Sequence, residues 1–570
     1  MADEPSEDQP RAYQPLFADG EPIRVADLAK ATANSRPDDD EASAAESNGK
    51  RLKEKKGAAF PLTPDQWLHS VAAMSGTRQV AKRFDELIDD ARQGQNRGRK
   101  RDYDAYDALI FLCGTFLYGG ASGVHNKNFP HRAGGPAQRL VDQLNLQLEH
   151  DRPDDPAWRL NPKGFNRSQH RRVREDFLDD DVVDELERLT RQICVEAALR
   201  MGQFRPRAGT YTQPDTTQTV AAAGTVVGGL YNNGDPDKIN HGTGKPKRHD
   251  PEAFTPRSAT GKKPKPPNYE WVLVITRTPH PKERIILAVN IKGEAQRSNS
   301  DATLAVDSLL QLIEEHPRII KGLYAFGYDG ALSAEDRDRL LKAGVQPVSK
   351  LRRISETVPF IHNFGPHRFV HPNETVAHTA EVITIDGNAT VVMTDGDGHD
   401  CYVPLTCTNR RRTKQRTGGY AVNNTYALPQ NPIVPRHLQG ATITMRMDTP
   451  AEQLREHDPD GNKKHKKNPT LHPQTLSAFP EADPHHQNLY GVRQDCESAN
   501  RQFKALLRDK RSITTTRNNN RYQAIGYQLL IVTSALLAHA ERTGSQYTDI
   551  FGQRLVPPPE PTSLPTQLAA

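Results

Sequence analysis

Between Thr219 and Val348 the chain sets out an order of elements that few folds can satisfy. Three short β-branched runs, Thr219–Val227, Trp271–Arg277 (WVLVITR) and Ile285–Ile291 (IILAVNI), are bounded by turn residues and read as strands. A helix is predicted over Ser300–Glu315, with Leu304, Leu309, Leu310 and Leu312 on its buried side. GLYAFGYD then reads as a buried strand ending at Asp329. Ser333, with Asp336 three residues on, opens another helix, Gly344 closes it, and Val345–Val348 is a strand. The order strand, strand, strand, helix, strand, helix, strand belongs to the α/β class.

The remaining segments separate by composition. A length of 570 residues suggests about three or four folding units. Residues 1–60 are rich in Asp, Glu, Ser, Pro, Ala and Lys and read as a disordered arm. Residues 61–205 read as a helical domain. Thr63 is placed to cap a helix running to Gln93, others fall over Tyr103–Tyr118 and Asp179–Met201, and the last carries the stripe Val182, Val183, Leu186, Leu189, Ile193. Residues 206–355 hold the element order above, with a Lys/Pro/Gly-rich loop at 232–268. Residues 356–480 alternate like antiparallel strands and read as a β-rich insertion. Residues 481–550 supply two closing helices, about 491–509 and 520–543, and 551–570 form a Pro-rich disordered tail. The hydrophobic share of 35% agrees with so much solvated chain, since ordinary globular sequences sit near about 45–50% on a slightly broader set.

Several function classes drop out. Five cysteines without a CxxC pair exclude a disulfide framework and favour a reducing compartment. His399, Cys401 and Cys407 are spaced too loosely for a structural zinc site. MADEPSEDQP has no apolar signal core, and the apolar run Tyr527–Ala540 is short of the roughly 20 residues that span a bilayer. A soluble, cytoplasmic, nucleoid-associated protein without a membrane partner is expected. With 76 basic and 71 acidic side chains the net charge is only +5, so nucleic-acid binding has to be argued from local clusters.

The sharpest motif is YGVRQDCESANRQFK. Tyr490, Arg493, Glu497 and Lys504 fall within roughly 60° of one another on an ideal helix. A face carrying a carboxylate between cations suits phosphodiester chemistry, in which the acid holds a metal ion and the cations, Arg501 among them, hold phosphates. The spacing Tyr-x2-Arg-x3-Glu-x6-Lys resembles the C-terminal signature of bacterial insertion-sequence DDE transposases. That resemblance implies a ribonuclease H-like mixed-sheet core, interrupted by a β-rich insertion and preceded by an α-helical N-terminal domain. It implies Asp329 as the second catalytic acid and Glu497 as the third, although Leu332 stands where Tyr is usual. The first acid belongs in the first core strand, and there TQTVAAAGTVVGGLY places Ala223. In an intact family site three carboxylates hold two Mg²⁺ or Mn²⁺ ions about 4 Å apart for in-line cleavage and strand transfer of transposon ends. Here Asp329 and Glu497 would be the metal ligands, and a methyl group binds no metal.

Basic clusters support a DNA partner. Arg97, Arg99, Lys100 and Arg101 form one; Arg167, His170, Arg171, Arg172 and Arg174 a second; Arg410, Arg411, Arg412, Lys414 and Arg416 a third; Lys463, Lys464, Lys466 and Lys467 a fourth. The expected function is a transposase-like protein that binds double-stranded DNA, both transposon ends and target, as a homodimer. Its alternative is a non-catalytic DNA-binding derivative of such an enzyme.

Overall fold

The computed structural model describes residues 20–28, 62–93, 101–129, 139–206, 214–227, 252–253, 268–350, 359, 361–371, 377–448, 476–506 and 516–544. The fourth basic cluster, Arg97, Arg99 and Lys100 of the first, most of the 232–268 loop and the Pro-rich tail lie outside these residues.

Local chemistry sets the helix ends. Thr63 accepts the Gln66 N–H at 3.2 Å, and the Gln66 side chain accepts the Thr63 N–H at 2.9 Å, a capping box that starts α1 (Pro64–Ala73). The single helix expected through Gln93 is broken at Met74, which is extended, and α2 (Ser75–Gln93) restarts beyond it. Gly76 lies so close to Ile193 that a Cβ there would sit 3.1 Å from its Cδ1. Asp104 caps α3 (Ala105–Leu117), and α4 (Ala121–Asn128) and α5 (Leu140–Asp151) follow. Asn166 caps α6 (Arg167–Asp176), and Asp179 caps α7 (Asp180–Arg200). Ser300 caps α8 (Asp301–Glu315), and Ser333 caps α9 (Ala334–Lys342), which Gly344 closes at φ +81°. Near the C-terminus come α10 (His486–Gly491), α11 (Arg493–Leu506) and α12 (Arg517–Thr543).

In chain order the strands are β1 (Ile23–Arg24), β2 (Thr219–Val227), β3 (Tyr269–Arg277), β4 (Arg284–Lys292), β5 (Ala325–Ala331), β6 (Gln346–Lys350) and β7 (Ile361–Val370). Then follow β8 (Ala377–Ile385), β9 (Asn388–Thr394), β10 (Asp400–Pro404), β11 (Thr406–Lys414), β12 (Tyr420–Ala427) and β13 (Thr442–Arg446). The chain is thus mixed α/β, with every expected strand and helix between 219 and 350 present.

Two compact units result, and their borders differ from the sequence segments. One comprises residues 53–205, 216–322 and 492–570. In it β2, β3 and β4 form an antiparallel meander, with α8 on one face and α11 on the other. α12 joins the helical segment to this meander, packing against α1, α3, α7 and β4. Trp67 Nε1 donates to Leu530 O at 2.9 Å, Gln528 Nε2 donates to Ile286 O at 3.1 Å, and Arg521 pairs with Glu187 at 2.7 Å. By length and composition α12 could cross a membrane, yet 89% of its most apolar window is buried inside the protein. The helical segment is therefore not a separate domain: its apolar faces close over the same core as the meander.

The other unit comprises residues 1–52, 206–215 and 323–491. Its eight-stranded sheet has the order β1-β10-β9-β8-β7-β13-β12-β11, and every pairing is antiparallel. β5 and β6 pair in parallel, and α9 packs on β6 and β12. The β-rich character expected of 356–480 is present. Residues 23–24 correct the reading of 1–60 as wholly disordered, because they add a strand to this sheet.

Candidate metal and nucleic-acid site

Register assigns the faces of the meander. Ala223 pairs with Leu273 and Thr225 with Trp271, so all four point to one side. The Trp271 ring lies 4.3 Å from that of Phe503, which identifies this side as the one covered by α11. Ala223, only 2% exposed, therefore faces the helix that carries the acidic motif.

α11 is fixed at both ends. Near its start the buried Asp495 carboxylate pairs with Arg277 and, at 3.9 Å, with Arg284; near its end Phe503 covers Trp271. Burial pushes the Asp495 carboxyl up, against the two arginines that pull it down. Cys496, Ala499 and Phe503 are buried and form the row against the sheet. At about 100° per residue, Arg493 and Glu497 lie roughly 90–130° round from that row, on the flank of the helix, while the Lys504 side chain lies outside the described ones. Arg493 Nη1 stands 3.4 Å from Glu497 Oε1, with the two side chains 23% and 42% exposed. Arg501 is exposed. Cys496, the neighbour of Glu497, is fully buried, which raises its thiol, and it packs the helix against the sheet.

The motif is not one continuous helix. Val492 interrupts it, leaving Tyr490 in α10, where its ring stacks on His486 at 5.2 Å. Asp329 lies on β5, which continues to Ala331 instead of ending at the acid. The β5–β6 register shifts between Gly327 and Ala331, so Asp329 sits in a bulged stretch of strand. Of the expected acids, Glu497 shares a unit with Ala223, and Asp329 belongs to the other unit.

Of the third basic cluster, Arg410, Arg411, Arg412 and Lys414 lie on β11 and Arg416 in the turn beyond it. Arg410 is buried: it pairs with Asp483, its Nε donates to Ala478 O at 3.2 Å, and its guanidinium lies 4.1 Å over Phe479. Arg412 Nη1 donates to Leu323 O at 2.8 Å and Gly344 O at 3.1 Å. These two arginines hold the fold together, which corrects their reading as phosphate ligands. Arg411, Lys414 and Arg416 are exposed. In the first cluster, Arg101 is tied to Asp85 at 2.7 Å and Asp89 at 3.1 Å.

The second cluster forms α6. His170 and Val173 are its buried residues, His170 lying against Phe111 at 4.9 Å and held well below its usual pKa by burial. That anchoring leaves Arg167, Arg171 and Arg172 exposed on the outer side, beside exposed Lys163. Arg167 Nη1 reaches Ser122 Oγ of α4 at 3.2 Å, and Lys127 of α4 is also exposed.

One constellation escapes sequence reasoning. On the α8 face of the meander Lys292 Nζ lies 2.8 Å from Asp301 Oδ1 and 3.6 Å from Glu270 Oε2. Burial and the neighbouring Asp301 push the Glu270 carboxyl up to about 8. A Cβ at residue 224 would stand 2.9 Å from Asp301 Oδ2 and 3.0 Å from Glu270 Oε1, so Gly224 leaves room for this pair. Lys292 ends β4, Asp301 opens α8 nine residues on, and Glu270 lies on the neighbouring strand β3, so strand register and the start of α8 bring the three together. Gly224 and Ala223 point to opposite faces, so these acids cannot replace a carboxylate at 223.

Comparison with protein-family models, with curated proteins and with solved structures finds no match for this chain.

Proposed function

We propose that this chain is a DNA-binding protein of transposase type, built like a DDE transposase but with its first metal-binding carboxylate replaced by Ala223. The observation that carries this reading is the placement of Arg493 and Glu497 on the flank of a helix laid directly over the strand that holds Ala223. The Tyr-x2-Arg-x3-Glu-x6-Lys spacing and the element order from 219 to 350 support it.

The donors present do not fit a two-ion centre. Position 223 offers a buried methyl group, and Glu497 already has Arg493 as its cation. No cleavage step is therefore assigned to the chain as it stands, and Asp329 and Glu497 remain proposed ligands for Mg²⁺ or Mn²⁺ only in a form with the first acid in place. DNA binding does not need that site. It rests on outward cations, chiefly Arg167, Arg171 and Arg172 of α6, with Arg411, Lys414, Arg416 and Arg501 as further phosphate contacts. Two copies on two element ends complete the proposal.

A gel-shift titration over salt tests it. The log–log slope of affinity against salt is expected to be steeper than about −3, and Arg167→Gln/Arg171→Gln/Arg172→Gln is expected to flatten it by about 2–3. A flat response of the unsubstituted chain would reject DNA as its partner.

A further inference from the structure

Three histidines from separate stretches of chain meet where β7 ends and β8 begins. His371 stands one residue past β7, His378 lies on β8, and His437 lies in the connection between β12 and β13. Phe369 pairs with His378, so both point to one face, and alternation gives His371, two residues beyond Phe369, the same face. The connection that carries His437 is fixed beside them: Thr442, at the start of β13, pairs with Val370 and donates its hydroxyl to Val370 O at 3.1 Å. Within that connection Gln439 Nε2 donates to Asn431 O at 3.1 Å and to Val434 O at 3.0 Å, and the Leu438 N–H donates to Pro435 O at 2.8 Å. The His378 and His437 rings lie 5.4 Å apart, centre to centre, with their planes 59° apart. Two imidazoles bound to one tetrahedral ion, with metal–nitrogen bonds of about 2.0–2.1 Å, have ring centres on the order of 5 Å apart. His371 Nε2 stands 3.0 Å from His437 O. A carbonyl oxygen can only accept, so in the neutral ring Nε2 carries the proton and Nδ1 keeps its lone pair. A ring N–H held by a backbone carbonyl is the contact that commonly orients a metal-bound histidine.

We propose that His371, His378 and His437 bind one divalent transition-metal ion of zinc type, His371 through Nδ1, with solvent in the remaining position. Imidazole nitrogens suit zinc-like ions, whereas Mg²⁺ takes oxygen donors. His437 is exposed and His371 and His378 are partly exposed, so an ion reaches them from solvent, and rotation of the His437 side chain draws the three nitrogens onto it. Asp395, Asp397 and His399 already lie within 4.8 Å of one another, but there the Arg24 guanidinium, 3.2 Å from Asp395 and 3.3 Å from Asp397, is the cation the carboxylates hold. Once bound, the ion ties the β12–β13 connection to the start of β8. The inference stands apart from the DNA-binding reading.

Zinc titration of the full chain, first stripped of metal with a chelator, tests it. One Zn²⁺ per chain is expected at this site, and His371→Ala, His378→Ala and His437→Ala are each expected to weaken its binding at least about tenfold, while His399→Ala leaves it unchanged. Excess Mg²⁺ is expected not to displace the zinc. None of the three histidines is buried, so the substituted chains are expected to melt with the metal-free parent, which separates a lost ligand from a lost fold. No zinc binding, binding undiminished in His378→Ala/His437→Ala, or binding lost through His399→Ala instead would overturn the proposal.

Discussion

Three consecutive alternating positions show how little residue type alone decides. Arg410, Arg411 and Arg412 are one basic run in the sequence, but β11 turns Arg410 and Arg412 inward and Arg411 outward. Removing Arg410 leaves Asp483 buried without its cation, so Arg410→Ala is expected to cost roughly 3–5 kcal/mol in denaturant unfolding while leaving the salt slope of DNA binding unchanged. Arg411→Gln is expected to do the reverse, with stability within about 0.5 kcal/mol and a slope lower by about 1. Glu270 gives a pH prediction. Its carboxyl is raised to about 8 by burial and by Asp301, so the folded state holds a proton that the unfolded chain releases near its ordinary pKa of about 4.3. That contribution is complete below the unfolded pKa and is lost as pH rises through about 8. Thermal melting of the Glu270→Gln chain should accordingly fall less between pH 5 and pH 8 than that of the unsubstituted chain. Equal pH slopes for the two would contradict the raised carboxyl.

At the scale of elements, what could be read from the sequence was what local chemistry fixes. β2 runs from Thr219 to Val227 as its β-branched pattern predicts, and the Thr63 and Ser333 caps and the Gly344 stop stand where their side chains and φ requirement place them. The breaks at Met74 and Val492 were not legible, because the apolar period runs through both and only tertiary packing divides the helices. Nor was the Glu270–Lys292–Asp301 group, which depends on which residues of β3 and β4 lie opposite one another. β1 was hidden within an acidic, Pro-rich stretch, since two residues of strand carry no period to detect. α12 looked like a marginal apolar run and proves to be the helix on which the unit closes. It approaches α3 closely at Gly526, where a Cβ would stand 2.7 Å from Leu112 Cγ. Gly526→Val should therefore destabilise the unit by about 1–3 kcal/mol by overpacking, measured by chemical denaturation, and Leu112→Ala in the same chain should recover part of that loss.

For the whole molecule, the expected segmentation into helical domain, core and insertion is replaced by two units that each draw on several stretches of chain. The helical segment and the β2–β4 meander share α12, so the outward cations of α6 and the Glu497 helix are parts of one folded body. This is why a net charge of only +5 is compatible with a DNA partner: acidic residues neutralise inward arginines such as Arg521 and Arg191, and the cations of α6 stay outside. If Ala223 stands where a metal-binding carboxylate is proposed to belong, Ala223→Asp should supply that ligand. A buried carboxylate facing α11 should lower stability by roughly 3 kcal/mol or more without metal. Millimolar Mg²⁺ or Mn²⁺ should then restore the melting temperature and bring nicking of bound DNA. A variant that is destabilised, indifferent to divalent metal and inert on DNA would contradict the account.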